Sequence, residues 1–191
     1  MEYVLIYIHG FMSSPQSVKA QQTLKYIEEH HAGLIVELPE VPNYPLEAAQ
    51  MLEEIVSRHS GKKLRFIGSS MGGYMSTYLV EKFGGKAVLI NPAVRPFELL
   101  QGYLGDHVNP YTNKAFTLQD LHIQQLLDLN TQELQDPSAY WALLQTGDET
   151  LDYRQAEQKY LTSRLSIEQG GDHSFQNYQN HLPKIFEFLL S

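Results

Sequence analysis

Short apolar runs separated by amphipathic stretches follow one another along most of the chain. The first run, Tyr3–Ile8, is continuous and rich in aromatic and β-branched residues, as is typical of a strand buried on both faces. Further apolar runs predict strands at Leu34–Glu37, Leu64–Gly68, Lys86–Ile90, Tyr140–Gln145 and Arg164–Glu168. Apolar residues at helical spacing predict helices at Lys19–His30, Leu46–His59, Met71–Phe83 and Leu151–Leu161, and a last helix whose apolar face runs from Leu182 to Leu190.

The repeated strand–helix–strand order predicts the α/β class, with a compact, mainly parallel sheet flanked by helices on both faces. The alternation stops between Asn91 and Pro137, where the chain carries four prolines and only short helical patterns, at Pro96–Leu104 and Leu118–Leu129. We therefore expect a single domain over residues 1–191, with a helical lid inserted at about residues 94–137.

Composition and charge exclude several classes of function. Apolar residues make up 42% and charged residues 19% of the 191 residues, an ordinary balance for one globular domain. The net charge of −8 argues against a general affinity for nucleic acid or anionic membranes. The chain has no cysteine, which excludes disulfides, thiolate metal sites and a cysteine nucleophile. The first apolar run has no basic leader and, like the others, is too short to span a bilayer, so we expect a cytoplasmic protein.

The most informative motif is Gly68-Ser69-Ser70-Met71-Gly72. It follows a predicted strand and opens a predicted helix, which is the context in which G-x-S-x-G forms a sharp turn that exposes its serine. Glycines at positions 68, 72 and 73 leave room for the neighbouring strand and helix. Small residues also fill such turns for packing alone, so Ser70 is favoured as a nucleophile only if its catalytic partners are found.

An acyl-transfer serine needs hydrogen-bond donors for the negative charge that forms on the carbonyl oxygen. His9-Gly10-Phe11 follows the first strand directly, and Gly10 lets the chain turn so that the main-chain N–H of Phe11 can point into the site. The second donor is the N–H of Met71, the residue after the nucleophile. Instead of contributing to an oxyanion site, His9-Gly10 could form an ordinary turn at the end of a strand. We interpret His9 as structural, because its backbone position matters more than its ring.

A base and an acid are expected in the loops after later strands. Among eight histidines, only His173 lies in a glycine-rich loop after the last strand and also follows the acid in the chain. The loop after strand 140–145 offers Asp148 first, whose task would be to hold the imidazole tautomer and stabilise the imidazolium. Glu149 and Asp152 are alternatives, and Asp152 could equally cap the following helix.

The order serine, aspartate, histidine is that of α/β-hydrolases and differs from both common serine-protease orders. Four segments of the chain resemble the YqiA-type esterases, a family of small bacterial α/β-hydrolases, and the similarity extends over essentially the whole chain. They are His9–Pro15, Gly68–Tyr74, Asn91–Pro96 and Gly147–Tyr153. The resemblance implies a soluble cytoplasmic enzyme that cleaves acyl esters or acyl-CoA thioesters without a cofactor, and it implies Ser70, Asp148 and His173 as the triad. Met12 stands where asparagine is expected in this family, and it bears on substrate preference.

Three functions are compatible with these residues. The first is hydrolysis of a small-molecule carboxylic ester or thioester through an acyl-serine intermediate. The second uses the same triad to cleave a carbon–carbon bond or to transfer the acyl group to an acceptor other than water. The third is a binding protein of the same shape that has lost turnover.

Two further features of the sequence limit these hypotheses. We expect no metal or nucleotide site, because Asp106-His107 and His30-His31 are isolated pairs and the glycines at 68, 72 and 73 lack the lysine of a P-loop. The apolar residues of the predicted lid would either suit an acyl chain or pack the lid onto the body. These residues are Leu99, Leu100, Tyr103, Leu104, Tyr111 and Phe116.

Overall fold

The computed structural model describes residues 2–191, and a six-stranded parallel sheet forms its centre. The strands in these residues are β1 (Tyr3–Ile8), β2 (Ile35–Glu37), β3 (Lys63–Ser69), β4 (Lys86–Ile90), β5 (Gly105–Val108), β6 (Ala115–Leu118), β7 (Tyr140–Gln145) and β8 (Arg164–Glu168). All except β5 and β6 belong to the central sheet, in the order β2-β1-β3-β4-β7-β8. Every neighbouring pair in that sheet is parallel. The predicted α/β architecture is therefore confirmed, and each predicted strand is found to within one residue at either end.

The helices of the same residues connect these strands and cover the sheet. They are α1 (Val18–His30), α2 (Pro45–Arg58), α3 (Met71–Phe83), α4 (Pro96–Leu99), α5 (Asp120–Asp128), α6 (Tyr153–Lys159) and α7 (Leu182–Leu190). No helix within residues 2–191 combines the length and the apolar character that a bilayer crossing requires.

Helices cover both faces of the sheet, so the side chains that alternate along each strand are buried on either side. In β1, Val4 and Ile6 belong to the core beneath α2 and α3, whereas Leu5 and Tyr7 belong to the core beneath α1 and α7. This alternation explains why the strand reads as one continuous apolar run. The parallel pairing of the strands places their carboxyl ends along one edge, where the loops that follow β1, β3, β7 and β8 converge.

The segment between β4 and β7 contains a small antiparallel sheet that we did not predict. β5 pairs with β6, and β6 buries Phe116 and Leu118 while Ala115 and Thr117 are exposed. Alternate burial is typical of a strand, but here it extends over only four residues. The apolar residues at helical spacing that follow directly obscure it in the sequence. The expected helical insertion is therefore corrected to a mixed one, in which α4 and α5 flank a β-hairpin.

The helix after β7 begins at Tyr153, two residues later than its predicted start at Leu151. The N–H groups of Thr150 and Leu151 donate to Asp148 Oδ1 at 2.9 and 2.8 Å, which holds the preceding residues in a turn. Asp152 then caps α6 by accepting a hydrogen bond from the Arg154 N–H at 3.1 Å. The capping function considered for Asp152 is thus present, and the loop retains Asp148 at the sheet edge.

Candidate active site

Ser70 lies at the apex of the turn between β3 and α3. Its φ of 55° and ψ of −116° place it in a region that residues with a side chain rarely adopt. The turn is held by main-chain bonds: the Ser70 N–H donates to the Ile90 carbonyl at 3.0 Å, and the Ser70 carbonyl accepts from the Gly73 and Ala93 N–H groups at 2.9 and 3.0 Å. The surrounding backbone therefore imposes the strained conformation that exposes the serine hydroxyl.

Close packing around the turn explains its glycines. A Cβ at Gly72 would stand 1.9 Å from the Ile8 carbonyl oxygen, and a Cβ at Gly73 would stand 2.6 Å from Pro92 Cβ. Gly68 faces the same helix, since its Cβ would lie 2.3 Å from the Gly72 carbonyl oxygen. The space that a side chain would need at these three glycines is therefore occupied by neighbouring backbone and a proline ring, as predicted from the motif.

The structure brings the three predicted side chains into one hydrogen-bonded chain. His173 Nε2 lies 3.0 Å from Ser70 Oγ, and His173 Nδ1 lies 3.0 and 2.9 Å from the two carboxylate oxygens of Asp148. The Asp148 side chain is only 2% exposed and that of His173 is 24% exposed. An ionised carboxylate can only accept a hydrogen bond, so Nδ1 is the donor and the Nε2 lone pair of the neutral ring faces the serine hydroxyl.

The two alternative acids are placed differently. Glu149 accepts a hydrogen bond from the main-chain N–H of His173 at 3.0 Å through Oε2. Asp152 caps α6 and pairs with the Arg154 guanidinium at 2.8 Å. Asp148 is thus the acid that the structure places against the imidazole of His173, while Glu149 contacts the backbone of the same loop.

Two polar residues that sequence reasoning missed hold the His173 loop. Asn91 Nδ2 donates to the Asp172 carbonyl at 2.9 Å and to the His173 carbonyl at 3.3 Å, and its Oδ1 accepts from the Gln145 N–H at 2.9 Å. Gln145 Oε1 accepts from the N–H groups of Asp172 and Gln176 at 3.3 and 2.9 Å. Both side chains are buried at 3% exposure, although amide side chains are usually exposed. The available signal was their position at the ends of two adjacent buried strands.

The N–H groups predicted as oxyanion donors come from the loop after β1 and from the first residue of α3. Within residues 2–191, neither the Phe11 nor the Met71 N–H donates to another protein atom. Gly10 packs against Ser70, since a Cβ there would lie 3.3 Å from Ser70 Cβ and 3.9 Å from Ser70 Oγ. The loop after β1 and the start of α3 therefore border the serine hydroxyl together.

The ring of His9 is engaged as well as its backbone, which the sequence interpretation did not anticipate. It is 5% exposed, its Nδ1 lies 2.8 Å from the Gly10 carbonyl oxygen, and its Nε2 accepts from the Val41 N–H at 2.9 Å. Burial lowers the pKa of His9, against smaller raising effects from the Gly10 carbonyl and the charge of Glu40. The ring is therefore neutral, with its proton on Nδ1.

Two cavities border the site, and they differ in size and polarity. The first, which we name the methionine cavity, has a volume of about 30 Å³. Its lining includes Phe11, Met12, Met71, Met75, Leu100 and Leu126, together with residues between Val41 and Ala48. The second, which we name the polar cleft, has a volume of about 570 Å³ and contains Ser70 and His173. Its other lining groups include Ser13, Ser17, Lys19, Gln22, Tyr111 and Gln179.

Some apolar residues of the inserted segment line these cavities, and others only pack against the body of the protein. Leu100 lines the methionine cavity and Tyr111 lines the polar cleft. Phe116 packs edge-to-face on Phe11, with 5.7 Å between ring centroids, while Tyr103 and Leu104 are exposed. Residues 2–191 contain no group of three or more His, Asp or Glu side chains arranged to hold a metal ion.

Comparison with known sequences identifies relatives over almost the whole chain. The model of the uncharacterised protein family UPF0227 matches residues 4–190. A UPF0227 protein of Shewanella baltica strain OS185 is 26% identical over 198 residues, which cover 98% of this chain and 100% of that protein. A UPF0227 protein of Shewanella baltica strain OS155 matches with the same identity and coverage.

Comparison with solved structures identifies the fold. Est1E from Butyrivibrio proteoclasticus matches with a TM-score of 0.75 at 13% identity, over 99% of this chain and 87% of that chain. Alpha/beta hydrolase domain-containing protein 10 from mouse matches with a TM-score of 0.73 at 14% identity, over 98% and 90%. A monoacylglycerol lipase from Paleococcus ferrophilus matches with a TM-score of 0.72 at 12% identity, over 97% and 94%. The chain has the α/β-hydrolase fold.

Proposed function

This chain belongs to the UPF0227 family and has the α/β-hydrolase fold, and from that premise we propose that it is a serine esterase. Its substrates are carboxylic esters or thioesters of small molecules, and its reaction passes through an acyl-serine intermediate. The observation that carries the proposal is the imidazole of His173, which contacts Ser70 Oγ through one nitrogen and the Asp148 carboxylate through the other.

The first half of the proposed reaction acylates the enzyme. His173 Nε2 takes the proton of the Ser70 hydroxyl as the oxygen attacks the carbonyl carbon of the ester. Asp148 stabilises the imidazolium without taking its proton. The oxyanion of the tetrahedral intermediate accepts hydrogen bonds from the Phe11 and Met71 N–H groups, whose lack of protein acceptors leaves them available for this purpose. His173 then donates its proton to the leaving oxygen or sulfur.

The second half releases the acid. Water enters from the polar cleft and gives one proton to His173 as its oxygen attacks the acyl-serine carbonyl. The same two N–H groups stabilise the oxyanion of this second intermediate. Collapse of the second intermediate returns the proton to Ser70 Oγ and frees the carboxylic acid. All steps use groups of the chain and water, so the proposed reaction requires no cofactor.

The inserted segment is, in this proposal, a lid over the acid side of the site. Leu100 and Leu126 come from this segment and line the methionine cavity beside Met71. The lid thereby keeps water away from the carbonyl group on that side and limits the length of acyl chain that can enter.

A fluorophosphonate probe tests the proposal directly. We expect one covalent adduct on Ser70, and we expect Ser70→Ala to abolish both the adduct and the hydrolysis of p-nitrophenyl esters. Ser69→Ala is the matched control, because Ser69 is the adjacent serine and is 7% exposed; it should keep the adduct. Labelling that persists in Ser70→Ala would overturn the assignment.

Product analysis separates hydrolysis from the other two hypotheses. An acyl-serine that is released only by an added alcohol or amine would indicate acyl transfer. A protein that forms neither an adduct nor a product with any ester would match the binding-protein hypothesis.

A further inference from the structure

The two cavities beside Ser70 carry an inference about the substrate, which rests on the function proposed above. We propose that the enzyme removes short acyl groups, such as acetyl, from neutral polyhydroxylated alcohols of the size of a sugar. Three observations support the inference. They are the position of His173 relative to the two cavities, the small volume of the methionine cavity, and the polar groups that line the polar cleft.

Proton transfer assigns the two halves of the ester. The leaving oxygen receives its proton from His173 Nε2, so the alcohol must lie on the side of the imidazole. His173 lines the polar cleft together with Ser70 and does not line the methionine cavity. The alcohol therefore occupies the polar cleft, and the acid half turns towards the methionine cavity, beside the Phe11 and Met71 donors.

The size of the methionine cavity limits the acid. Its volume is about 30 Å³. A water-sized group needs about 10–15 Å³ measured in this way, so the cavity holds about two such groups. Met75, Leu100 and Leu126 line the cavity and are each at most 3% exposed. An acetyl or propionyl group fits this space, whereas a long acyl chain would displace the buried side chains.

The chemistry of the polar cleft indicates a neutral hydroxylated alcohol. Its wall presents hydroxyl and amide groups from Ser13, Ser17, Gln22 and Gln179, which can both donate and accept hydrogen bonds. Tyr111 stands at the cleft with 53% of its surface exposed, which leaves an aromatic ring for the apolar face of a sugar.

The charged groups of the polar cleft do not favour an anionic leaving group such as coenzyme A. Lys19 is the one cation among the described lining residues, and its ammonium donates to the Ser174 carbonyl at 2.6 Å. Glu149 adds a negative charge to the same wall. A leaving group with several phosphates would therefore meet a balanced pair of charges and no cationic cluster.

Initial rates on two substrate series test the inference. For p-nitrophenyl acetate, butyrate and octanoate, we expect kcat/KM to fall by about tenfold or more from acetate to octanoate. Met75→Ala should raise the rate on butyrate relative to acetate by enlarging the cavity. Met51→Ala makes the same change outside both cavities and should leave that ratio unaltered.

The second series varies the alcohol at a constant acetyl group. We expect the mono-O-acetyl ester of methyl glucoside to exceed both ethyl acetate and acetyl-CoA in kcat/KM. Tyr111→Ala should lower the rate on the acetylated sugar by about threefold to tenfold, a larger factor than its effect on ethyl acetate. Tyr103→Ala is the matched control, because Tyr103 is a comparably exposed tyrosine outside the cleft.

Three outcomes would count against the inference. Faster hydrolysis of octanoate than of acetate would overturn the assignment of the acid side, and preference for acetyl-CoA over the acetylated sugar would overturn that of the alcohol side. An enzyme that hydrolyses no ester and forms no phosphonate adduct would refute the proposed function itself, together with this inference.

A separate observation concerns the ring of His9, which we infer to be a positioning residue for the oxyanion site. The Gly10 carbonyl and the Phe11 N–H are the two ends of one planar trans peptide, and they point in opposite directions. The bond of 2.8 Å from His9 Nδ1 to that carbonyl fixes the plane of the peptide. The orientation of the Phe11 N–H towards the site follows from it.

A second bond fixes the ring. Val41 donates its N–H to His9 Nε2 at 2.9 Å, so Nε2 carries the lone pair and the proton stays on Nδ1. The peptide that presents Phe11 is thereby tied, through His9, to the loop after β2. A rotated Gly10–Phe11 peptide would replace a donor by a carbonyl oxygen at the site.

Three substitutions at His9 separate this role from simple packing. An asparagine amide nitrogen lies near the position of Nδ1 and keeps the bond to Gly10, whereas a glutamine reaches the position of Nε2 and keeps only the Val41 contact. We expect His9→Phe to lower kcat by about 10²–10³ with little change in KM, the usual effect of losing one oxyanion donor. His9→Asn should recover most of kcat, and His9→Gln should resemble His9→Phe.

The control is Tyr160→Phe, which removes a buried bond of 2.8 Å to the Thr77 hydroxyl; neither residue lines the methionine cavity or the polar cleft. It should lower the melting temperature without lowering kcat per folded molecule. Recovery of kcat by His9→Gln but not by His9→Asn, or a His9→Phe variant with unchanged kcat, would overturn the positioning role.

Discussion

The turn that carries Ser70 and the loop that carries His173 meet at one sheet edge but are held by different means. The serine turn is fixed by backbone: main-chain hydrogen bonds and contacts that leave no space for a Cβ at Gly72. The histidine loop is fixed by polar side chains, chiefly Asn91 and Gln145. The glycines that permit the close contacts of the serine turn lie in one local motif, whereas the polar network depends on side chains and loops from three strands. The two regions should therefore fail differently when they are mutated.

The largest effect is expected in the serine turn. Gly72→Ala places a methyl group 1.9 Å from the Ile8 carbonyl oxygen in the central strand, so neither partner can move without disturbing the sheet. We expect a loss of more than about 4 kcal/mol in the free energy of unfolding, measured by urea denaturation. Gly33→Ala is the control, since no atom lies within 4 Å of the added methyl group there. A Gly72→Ala protein as stable as the wild type would show that the turn is not sterically fixed.

The next effect concerns the acid in the histidine loop. Asp148→Asn keeps the size of the side chain but presents an amide to His173 Nδ1, which disfavours the productive tautomer. By analogy with serine proteases we expect kcat on p-nitrophenyl acetate to fall by about 10⁴ with little change in folding. A fall of only a few-fold would instead transfer the role to Glu149, and the same assay on Glu149→Gln decides this.

A smaller effect is expected when the network behind the loop is cut. Gln145→Leu leaves the N–H groups of Asp172 and Gln176 without their buried acceptor, and each such loss costs about 1–3 kcal/mol. We expect lower stability together with a roughly tenfold lower kcat, because the position of His173 loosens. Ser166→Ala removes the acceptor of the Trp141 indole N–H and should lower stability alone. Equal effects of both variants on kcat would contradict a specific role for Gln145.

The smallest effects are expected at the two acids beside Asp148. Glu149→Gln retains an oxygen that can accept from the His173 N–H, so kcat should change by no more than about threefold. Asp152→Ala removes the cap of α6 and should cost about 0.5–2 kcal/mol of stability with unchanged kcat. A thermal melt and a rate measurement on each variant check both expectations. A large loss of kcat in Asp152→Ala would show that its loop contributes more than a cap.

Much of this arrangement could be predicted because it follows from local patterns. The strands were found because fully buried strands are apolar at every position, and the serine turn was found because its glycines and its place between strand and helix are local features. His173 and Asp148 could be placed at the same edge because the loops after parallel strands emerge there. The short strand β6 was missed because four residues at period two do not outweigh the helical spacing beside them.

The sequence by itself determined the positions of the six central strands along the chain, the sharp turn at Ser70 and the short set of side chains able to reach it. Each of these depends on residues close together in the chain. The tertiary structure decided that the His173 ring contacts Asp148, 25 positions away, and Ser70, 103 positions away. It also decided that the Val41 N–H holds the His9 ring and that Asn91 and Gln145 hold the histidine loop. Hydrogen bonds require donors and acceptors within about 3 Å, and for residues distant in the chain only the folded backbone brings them that close.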